Sequence, residues 1–292
     1  MTENDQRAEW RRKGEIWVVN HERIDRMLAP LGRAALDVAA PKPGESVLDV
    51  GCGAGTTTLQ LAEKIGAGGS VLGVDISEPM LDFARERAAA AASGLPIRFE
   101  LGDAATYAFP RARFDLLFSR FGVMFFADPV AAFANLHGAL KPGGRLCFVC
   151  WRPAAENELV SLPARAVKAL IPPAPRSEPN APGPFSFGDP ARVTSILSGA
   201  GFSNIALETF GCRMLYGVGE TRDGAIDDAV EQAFETGPFS RALGELQGDV
   251  RERAREAVRA AFADRAEDGG VFIEGNAWIV TALADHWRNP RQ

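Results

Sequence analysis

The sequence predicts an α/β protein, a three-layer sandwich on an open and mostly parallel sheet, and three observations carry that expectation. An apolar run, Val47, Leu48 and Val50, passes straight into the turn Gly51-Cys52-Gly53-Ala54-Gly55, and helical apolar spacing follows from Thr57 to Ile65. A second apolar run, Val71-Leu72-Gly73-Val74, ends in Asp75. Further on, short buried runs alternate with helical stretches of about ten residues or more, which calls for right-handed crossovers between parallel strands.

Each element has its own signal. Trp10, Trp17, Ile24, Met27, Leu28 and Leu31 recur at helical spacing, giving two helices over residues 5–39 broken near Asn20-His21. The turn from Pro41 to Gly44 delivers the chain into strand one, where Asp49 sits near the carboxyl end. Strand two, Ser70 to Val74, is followed by a helix from Glu78 to about Ala92 with Met80, Leu81 and Ala84 facing inward. Strand three, Ile97 to Leu101, runs into Gly102-Asp103-Ala104, and strand four, Phe114 to Ser119, opens into Arg120-Phe-Gly-Val-Met-Phe-Phe126. A helix from Pro129 to Leu140 ends in the turn Lys141-Pro-Gly-Gly144, and strand five is Arg145 to Cys150. A helical stretch from about Asn157 to Leu170 precedes a proline-rich loop, and Asp189-Pro190 caps a helix reaching Gly199. Strand six is Ile205 to Leu215, and a last strand, Val271 to Ala282, follows an insert whose charge pattern is helical.

Strand, glycine turn and helix form the entry to a nucleotide site, because glycines let the backbone approach a ligand with no Cβ in the way. An acid at the tip of strand two can accept two hydrogen bonds from ribose hydroxyls. Thr56 stands where a dinucleotide site has its third glycine, which ranks an NAD-dependent oxidoreductase below the reading that follows.

Five motifs in order, Asp49-Val-Gly-Cys-Gly-Ala-Gly55, Asp75-Ile-Ser77, Gly102-Asp-Ala104, Phe114-Asp-Leu-Leu-Phe-Ser119 and Leu140-Lys-Pro-Gly-Gly144, resemble the class I S-adenosylmethionine-dependent methyltransferases across roughly residues 44–151. The resemblance implies a Rossmann-like, seven-stranded sheet with strands six and seven as an antiparallel hairpin, plus a helical cap. It implies S-adenosylmethionine as cofactor: main chain at Gly51 and Gly53 beside its methionine part, Asp49 acting through water or the amino group, Asp75 on its ribose, Asp103 and Ala104 bordering its adenine. Ile76, Met80 and Ser119 are expected to face it, and Trp17 to touch it from an N-terminal helix laid over the mouth. Asp115 is expected to be structural.

Domain organisation follows: a helical lid over 1–40, an α/β core over 41–216 with the proline-rich loop at 171–188, a helical cap over 217–270, and the final strand and tail over 271–292. The net charge of −6 and pI near 5.3 offer no positive field for nucleic acid, and arginines lie among acids as in Arg251-Glu-Arg-Ala-Arg-Glu256. Cys147 and Cys150 have C-x-x-C spacing, yet strand alternation points them to opposite faces, so neither a metal site nor a disulfide is expected. The polar start of the chain shows no signal peptide and no apolar run approaches membrane length, so a cytoplasmic protein is expected.

The acceptor is expected to be a small, partly apolar organic molecule. Phe121, Met124, Phe125, Phe126, Trp151, Phe185 and Phe187 place apolar surface near the carboxyl ends of strands, where open α/β sheets bind ligands. His21 is the candidate general base and Arg120 the candidate holder of an acidic acceptor group. The other reading is a non-catalytic protein that binds the same cofactor. The attacked atom and the oligomeric state are not legible.

Overall fold

The computed structural model describes residues 3–91, 94, 96–171, 181–237 and 240–285. Its strands are β1 (Ser46–Val50), β2 (Ser70–Asp75), β3 (Ile97–Leu101), β4 (Phe114–Arg120), β5 (Leu140–Trp151), β6 (Ser203–Val218), the two-residue β7 (Ala266–Glu267) and β8 (Gly270–Ala284). The helices are α1 (Glu3–Val19), α2 (His21–Ala39), α3 (Thr56–Ile65), α4 (Glu78–Ala90), α5 (Pro129–Ala139), α6 (Glu158–Ala166), α7 (Pro190–Gly199), α8 (Arg222–Glu235), α9 (Ser240–Gly244) and α10 (Gly248–Ala263). The sheet order is β3-β2-β1-β4-β5-β8-β6, with β7 paired to β8. Strands β1 to β5 are parallel, and β8 is antiparallel to both β5 and β6.

Those pairings put the carboxyl ends of β1, β2, β4, β5 and β6 at one edge of the sheet, because β6, antiparallel to β8, runs the same way as β5. The β5–β8 pairing stops at Trp151 opposite Ala277, whereas β6 and β8 stay paired out to Val218 opposite Gly270. Gly211–Val218 and Gly270–Asn276 therefore form a two-stranded ribbon that projects past the sheet edge, by roughly 20 Å at strand rise. The ribbon carries α8, α9 and α10 at its end.

Both faces of the central strands are buried, as crossovers demand; β1 is buried throughout. Cys147 and Cys150 point to opposite faces, Cys147 Sγ reaching the Ala35 carbonyl of α2 and Cys150 Sγ that of Phe187. All four cysteines are free. Asp115 is structural: it accepts from the Ser46 amide at 2.9 Å and from Lys141 Nζ at 2.8 and 2.7 Å. At the foot of the sheet Arg145 donates to the Ala39 carbonyl, where α2 ends, and pairs with Glu45 at 2.6 Å.

Some boundaries differ from expectation. β5 begins at Leu140 rather than Arg145, and Lys141–Gly144 form an irregularity in the strand rather than a turn before it. β6 and β8 are longer than expected because the ribbon continues their ladder beyond the sheet. The expected helix to Leu170 ends at Ala166. Residues 172–180 of the proline-rich loop and 286–292 of the expected tail lie outside the described residues.

The tips of β1 and β4 meet with no side chain between them. A Cβ on Gly51 would stand 2.7 Å from Gly122 Cα, and one on Gly122 would stand 2.6 Å from the Val50 carbonyl oxygen. Gly122→Ala is expected to cost about 1–3 kcal/mol in urea denaturation, the scale of an overpacked contact that backbone cannot escape. Gly183→Ala, with nothing within 4 Å of its Cβ, should stay within about 0.5 kcal/mol of the wild type.

Candidate active site

The carboxyl edge of the sheet opens into a cleft of about 1030 Å³. Its floor is the turn after β1 and the tips of β2 and β4; its walls come from α1, α2, the 121–128 segment, Trp151 and the end of α8. The volume sits at the top of the range for single-ligand sites, so two ligands fit side by side.

Among the expected residues, Trp17, His21, Gly51, Gly53, Asp75, Ile76, Met80, Asp103, Ala104 and Arg120 all line this cleft. Gly51 and Gly53 adopt φ of +66° and +53°, which glycine takes without strain. Asp75 holds the turn in shape, its Oδ2 accepting from the Gly53 amide at 2.8 Å and its Oδ1 from the Ser77 amide at 2.9 Å. Each oxygen has a second lone pair, so ribose hydroxyls can still be received. Asp103 Oδ1 accepts from the Ala105 amide, which fixes the turn that carries Ala104.

Asp49 lies beneath this floor and is fully buried. Its Oδ2 accepts from Thr57 Oγ1 at 2.8 Å and Thr58 Oγ1 at 2.7 Å, while its Oδ1 is buried with no hydrogen bond among the described residues. Burial raises its pKa to about 6, against the opposing pull of the two threonines and of Arg120. A buried carboxylate oxygen left open under a glycine turn fits a cationic amino group, and so fits the amino-acid end of S-adenosylmethionine.

Two expected roles need correction. Ser119 does not face the cleft: its hydroxyl donates to the Val50 carbonyl at 2.7 Å and accepts from the Gly122 amide at 3.2 Å, clamping the β1 and β4 tips together. Arg120 lines the cleft but is already engaged, its Nη2 bonding Asp25 Oδ1 at 3.0 Å with the side chain 14% exposed. An acidic acceptor would have to compete with Asp25 for it. His21 lines the cleft. Its Nδ1 donates to the Val18 carbonyl at 2.9 Å, which leaves Nε2 as the nitrogen that can take a proton.

The apolar wall is partly as expected. Phe121, Met124, Phe125, Phe126 and Trp151 line the cleft. Phe121 stacks on Trp151 at 4.3 Å and has φ of +63°, a strained conformation for a bulky residue, held by its amide bond to the Val149 carbonyl. Phe187 instead is core, packed against Phe133 and Phe148, and Phe185 is not part of the cleft lining; Pro184 takes that place. Trp10, which its spacing put on the apolar stripe of the first helix, joins the cleft with its ring 4.9 Å from that of Phe125. Ser77 Oγ donates to the Trp10 carbonyl, and a Cβ on Gly14 would stand 2.1 Å from that oxygen, so α1 docks tightly on the start of α4.

Sequence reasoning missed Asp25, Tyr216 and Gln232. Asp25 binds Thr56 Oγ1 at 2.6 Å, Arg87 and Arg120, tying α2 to α3, α4 and β4. It shares one helix face with His21 and Leu28 at i, i+4 and i+7, so a carboxylate on the inward stripe was the available signal. Tyr216 and Gln232 had none, because both depend on where the insert folds back. Among the described residues no group of three or more His, Cys, Asp or Glu could hold a metal, and no helix is long and apolar enough to cross a membrane.

A family model described as a methyltransferase domain matches residues 47–144. The chain is 35% identical over 184 residues to nocamycin O-methyltransferase of Saccharothrix syringae, covering 60% of this chain and 65% of that protein. It is 41% identical over 120 residues to aklanonic acid methyltransferase DauC of a Streptomyces strain, covering 41% and 54%. The chain thus spans between about half and two thirds of the length of these curated relatives. In fold it is similar to the YcgJ protein of Bacillus subtilis, with a TM-score of 0.56 at 18% identity, over 86% of this chain and 97% of that one. The glycine turn after β1 and the acids at the tips of β2 and β3 lie within the matched residues 47–144, and over that stretch the chain is similar to a methyltransferase domain.

The raised pKa of Asp49 sets a pH dependence of the free protein. Its folded value of about 6 lies above the unfolded value near 4, so the native state holds the extra proton between them. The stability this group contributes therefore falls as pH rises from about 4 to about 6, by at most ~3 kcal/mol, and is flat above. Denaturation at a series of pH values should show that decline superimposed on the other titrations, and Asp49→Asn should remove it.

Proposed function

We propose that the protein transfers the methyl group of S-adenosylmethionine to a small, partly apolar organic acceptor. The observation that carries this reading is the open, buried Oδ1 of Asp49 beneath the glycine turn of a cleft with room for a second ligand. When bound, the cofactor supplies a methyl group on a sulfonium, already activated for attack. Asp49 Oδ1 takes its amino group, the free lone pairs of Asp75 take its ribose hydroxyls, and Asp103 and Ala104 border its adenine. Ile76 and Met80 close the sides, and Trp17 covers the mouth from α1. The remaining space, walled by Phe121, Trp151, Phe125 and the end of α8, receives the acceptor.

The chain's own part in the reaction is alignment and exclusion of water. Thr57, Thr58 and the Gly51–Gly122 contact hold the cofactor floor rigid, and the stacked Phe121–Trp151 pair presents a flat apolar surface for an acceptor ring. His21 Nε2 is placed to receive a proton from an acceptor that loses one. Helices α1 and α2 act as one lid and the insert beyond β6 as another. The names of the two relatives, both methyltransferases and one an O-methyltransferase, support an organic acceptor that is methylated at oxygen.

Calorimetry with S-adenosylhomocysteine tests the cofactor half. Asp75→Ala is expected to weaken binding by about 1.5–3 kcal/mol through lost charge-assisted hydrogen bonds. Wild-type affinity should fall about tenfold from pH 7.5 to pH 5 as Asp49 takes up a proton, and Asp49→Asn should be flat across that range. NADH binding in place of S-adenosylhomocysteine would overturn the reading in favour of an oxidoreductase. Turnover of labelled S-adenosylmethionine with a panel of aromatic hydroxyls, amines and carboxylates tests the transfer itself, and binding without turnover on any of them would leave a non-catalytic cofactor binder.

A further inference from the structure

Two polar atoms in the cleft belong to neither the cofactor floor nor the N-terminal lid. Tyr216 lies on β6, in the projecting ribbon, and its side chain is 1% exposed, its ring packed on Phe262. Gln232 lies near the end of α8 and is also 1% exposed. Both line the cleft, and among the described residues neither Tyr216 Oη nor Gln232 Oε1 has a hydrogen-bond partner. The Gln232 amide nitrogen donates to Met27 Sδ at 3.3 Å. A thioether accepts and cannot donate, so the carbonyl oxygen is the end turned away from Met27.

The two meet at one turn of the chain. A Cβ on Gly237 would stand 3.4 Å from Tyr216 Oη, and the Gly237 amide donates to the Gln232 main-chain carbonyl at 3.1 Å. The phenol is held in its protonated form: burial raises its pKa and the charge of Asp228 raises it further. Tyr216 is therefore a neutral donor facing the turn that ends α8, and Gln232, in the last turns of that helix, offers an acceptor to the same cleft. Buried polar groups almost always find partners, so a pair left open in a ligand cleft marks a place where a ligand supplies them.

Charge around the pair narrows the ligand. Glu235 and Glu245 line the same cleft, and the cations lining it are Arg12 and Lys13 on α1 and Arg120 on β4. Lys13 pairs with Glu9 at 2.6 Å and Arg120 with Asp25. Arg23 and Arg26 on α2 flank the Met27 side of the pair, but both face Asp228, Arg23 faces Glu235 as well, and neither lines the cleft. A carboxylate or a phosphate would have to compete for them, whereas a hydroxyl accepts from Tyr216 and donates to Gln232.

We propose that Tyr216 and Gln232 form the polar contact of the acceptor subsite, and that it selects a neutral hydroxyl on an apolar ring, a phenol or an enol, over carboxylate and phosphate acceptors. The inference rests on the methyltransferase reading above and deepens it. Tyr216 and Gln232 hold and orient the acceptor; they are positioning residues.

The test uses 2-naphthol and 2-naphthoate as matched probes, titrated by calorimetry into the full chain with and without saturating S-adenosylhomocysteine. 2-Naphthol should bind at least about tenfold more tightly than 2-naphthoate, and Tyr216→Phe and Gln232→Leu should each weaken it about tenfold, the scale of one buried hydrogen bond. Both variants should bind S-adenosylhomocysteine as the wild type does. Tyr216→Phe should not melt at a lower temperature, because it removes only an atom that has no partner among the described residues, and a lower melting temperature there would expose a structural role instead. Gln232→Leu also gives up the amide contact to Met27 Sδ and is read by its binding alone. Equal binding of the two probes, no binding of 2-naphthol, or unchanged affinity in both variants would overturn the proposal. Loss of S-adenosylhomocysteine binding in the wild type would instead strike the cofactor reading, and the arm without it still reads the subsite.

Discussion

The site depends on one backbone contact, Gly51 against Gly122. With no side chain on either residue, the tips of β1 and β4 close to a distance that a single methyl group would forbid. Ser119 locks the approach from below, its hydroxyl shared between the Val50 carbonyl and the Gly122 amide. From that join the rest follows. The turn after β1 is held open above Asp49, and Phe121, one residue before Gly122, is forced into a left-handed conformation that lays its ring on Trp151. A rigid floor and a flat wall thus come from the same few residues, which is what alignment of two reactants requires.

Asp49 gives that floor its chemical character. A fully buried carboxylate with one oxygen satisfied by two threonines and the other open is costly to the free protein. Sites commonly accept such a cost where a ligand removes it, and the acid is set on a buried strand so that it cannot swing out to water. Asp25 performs the complementary task on the other side of the cleft. By holding Arg87, Arg120 and Thr56 together it draws the N-terminal helices onto the core and uses up a cation that would otherwise attract anions.

Much of this was legible in the chain. The glycine turn, the acids ending β2 and running on from β3, and the alternation of strands with helices are local patterns, and local patterns survive folding. What could not be read depends on partners distant in sequence. Ser119 looked like a ligand contact because it ends a strand at the right edge; only the approach of Gly122 shows that its hydroxyl is spent on backbone. Arg120 looked free because Asp25 is ninety-five residues away. Phe187 looked like loop surface, yet its loop folds back under α5 and buries it against Phe133. Tyr216 and Gln232 are invisible without knowing how far β6 and β8 run past the sheet.

That overrun of β6 and β8 separates the molecule into halves that change under different rules. Residues 47–144, the part the methyltransferase domain description matches, end before the ribbon begins, and every contact to the cofactor floor lies within them or in the helices before them. The canopy of α8 to α10 is carried by the two strands of the ribbon and packs on it, Phe262 of α10 on Tyr216 and Asp228 of α8 on the Val218 amide. Lengthening or shortening the ribbon by two residues would keep the same faces inward and carry the roof outward or inward by about 7 Å. The fold therefore has a built-in adjustment for the height of its ceiling, and the cleft can be deepened or made shallower while its floor at the tips of β1, β2 and β4 stays unaltered.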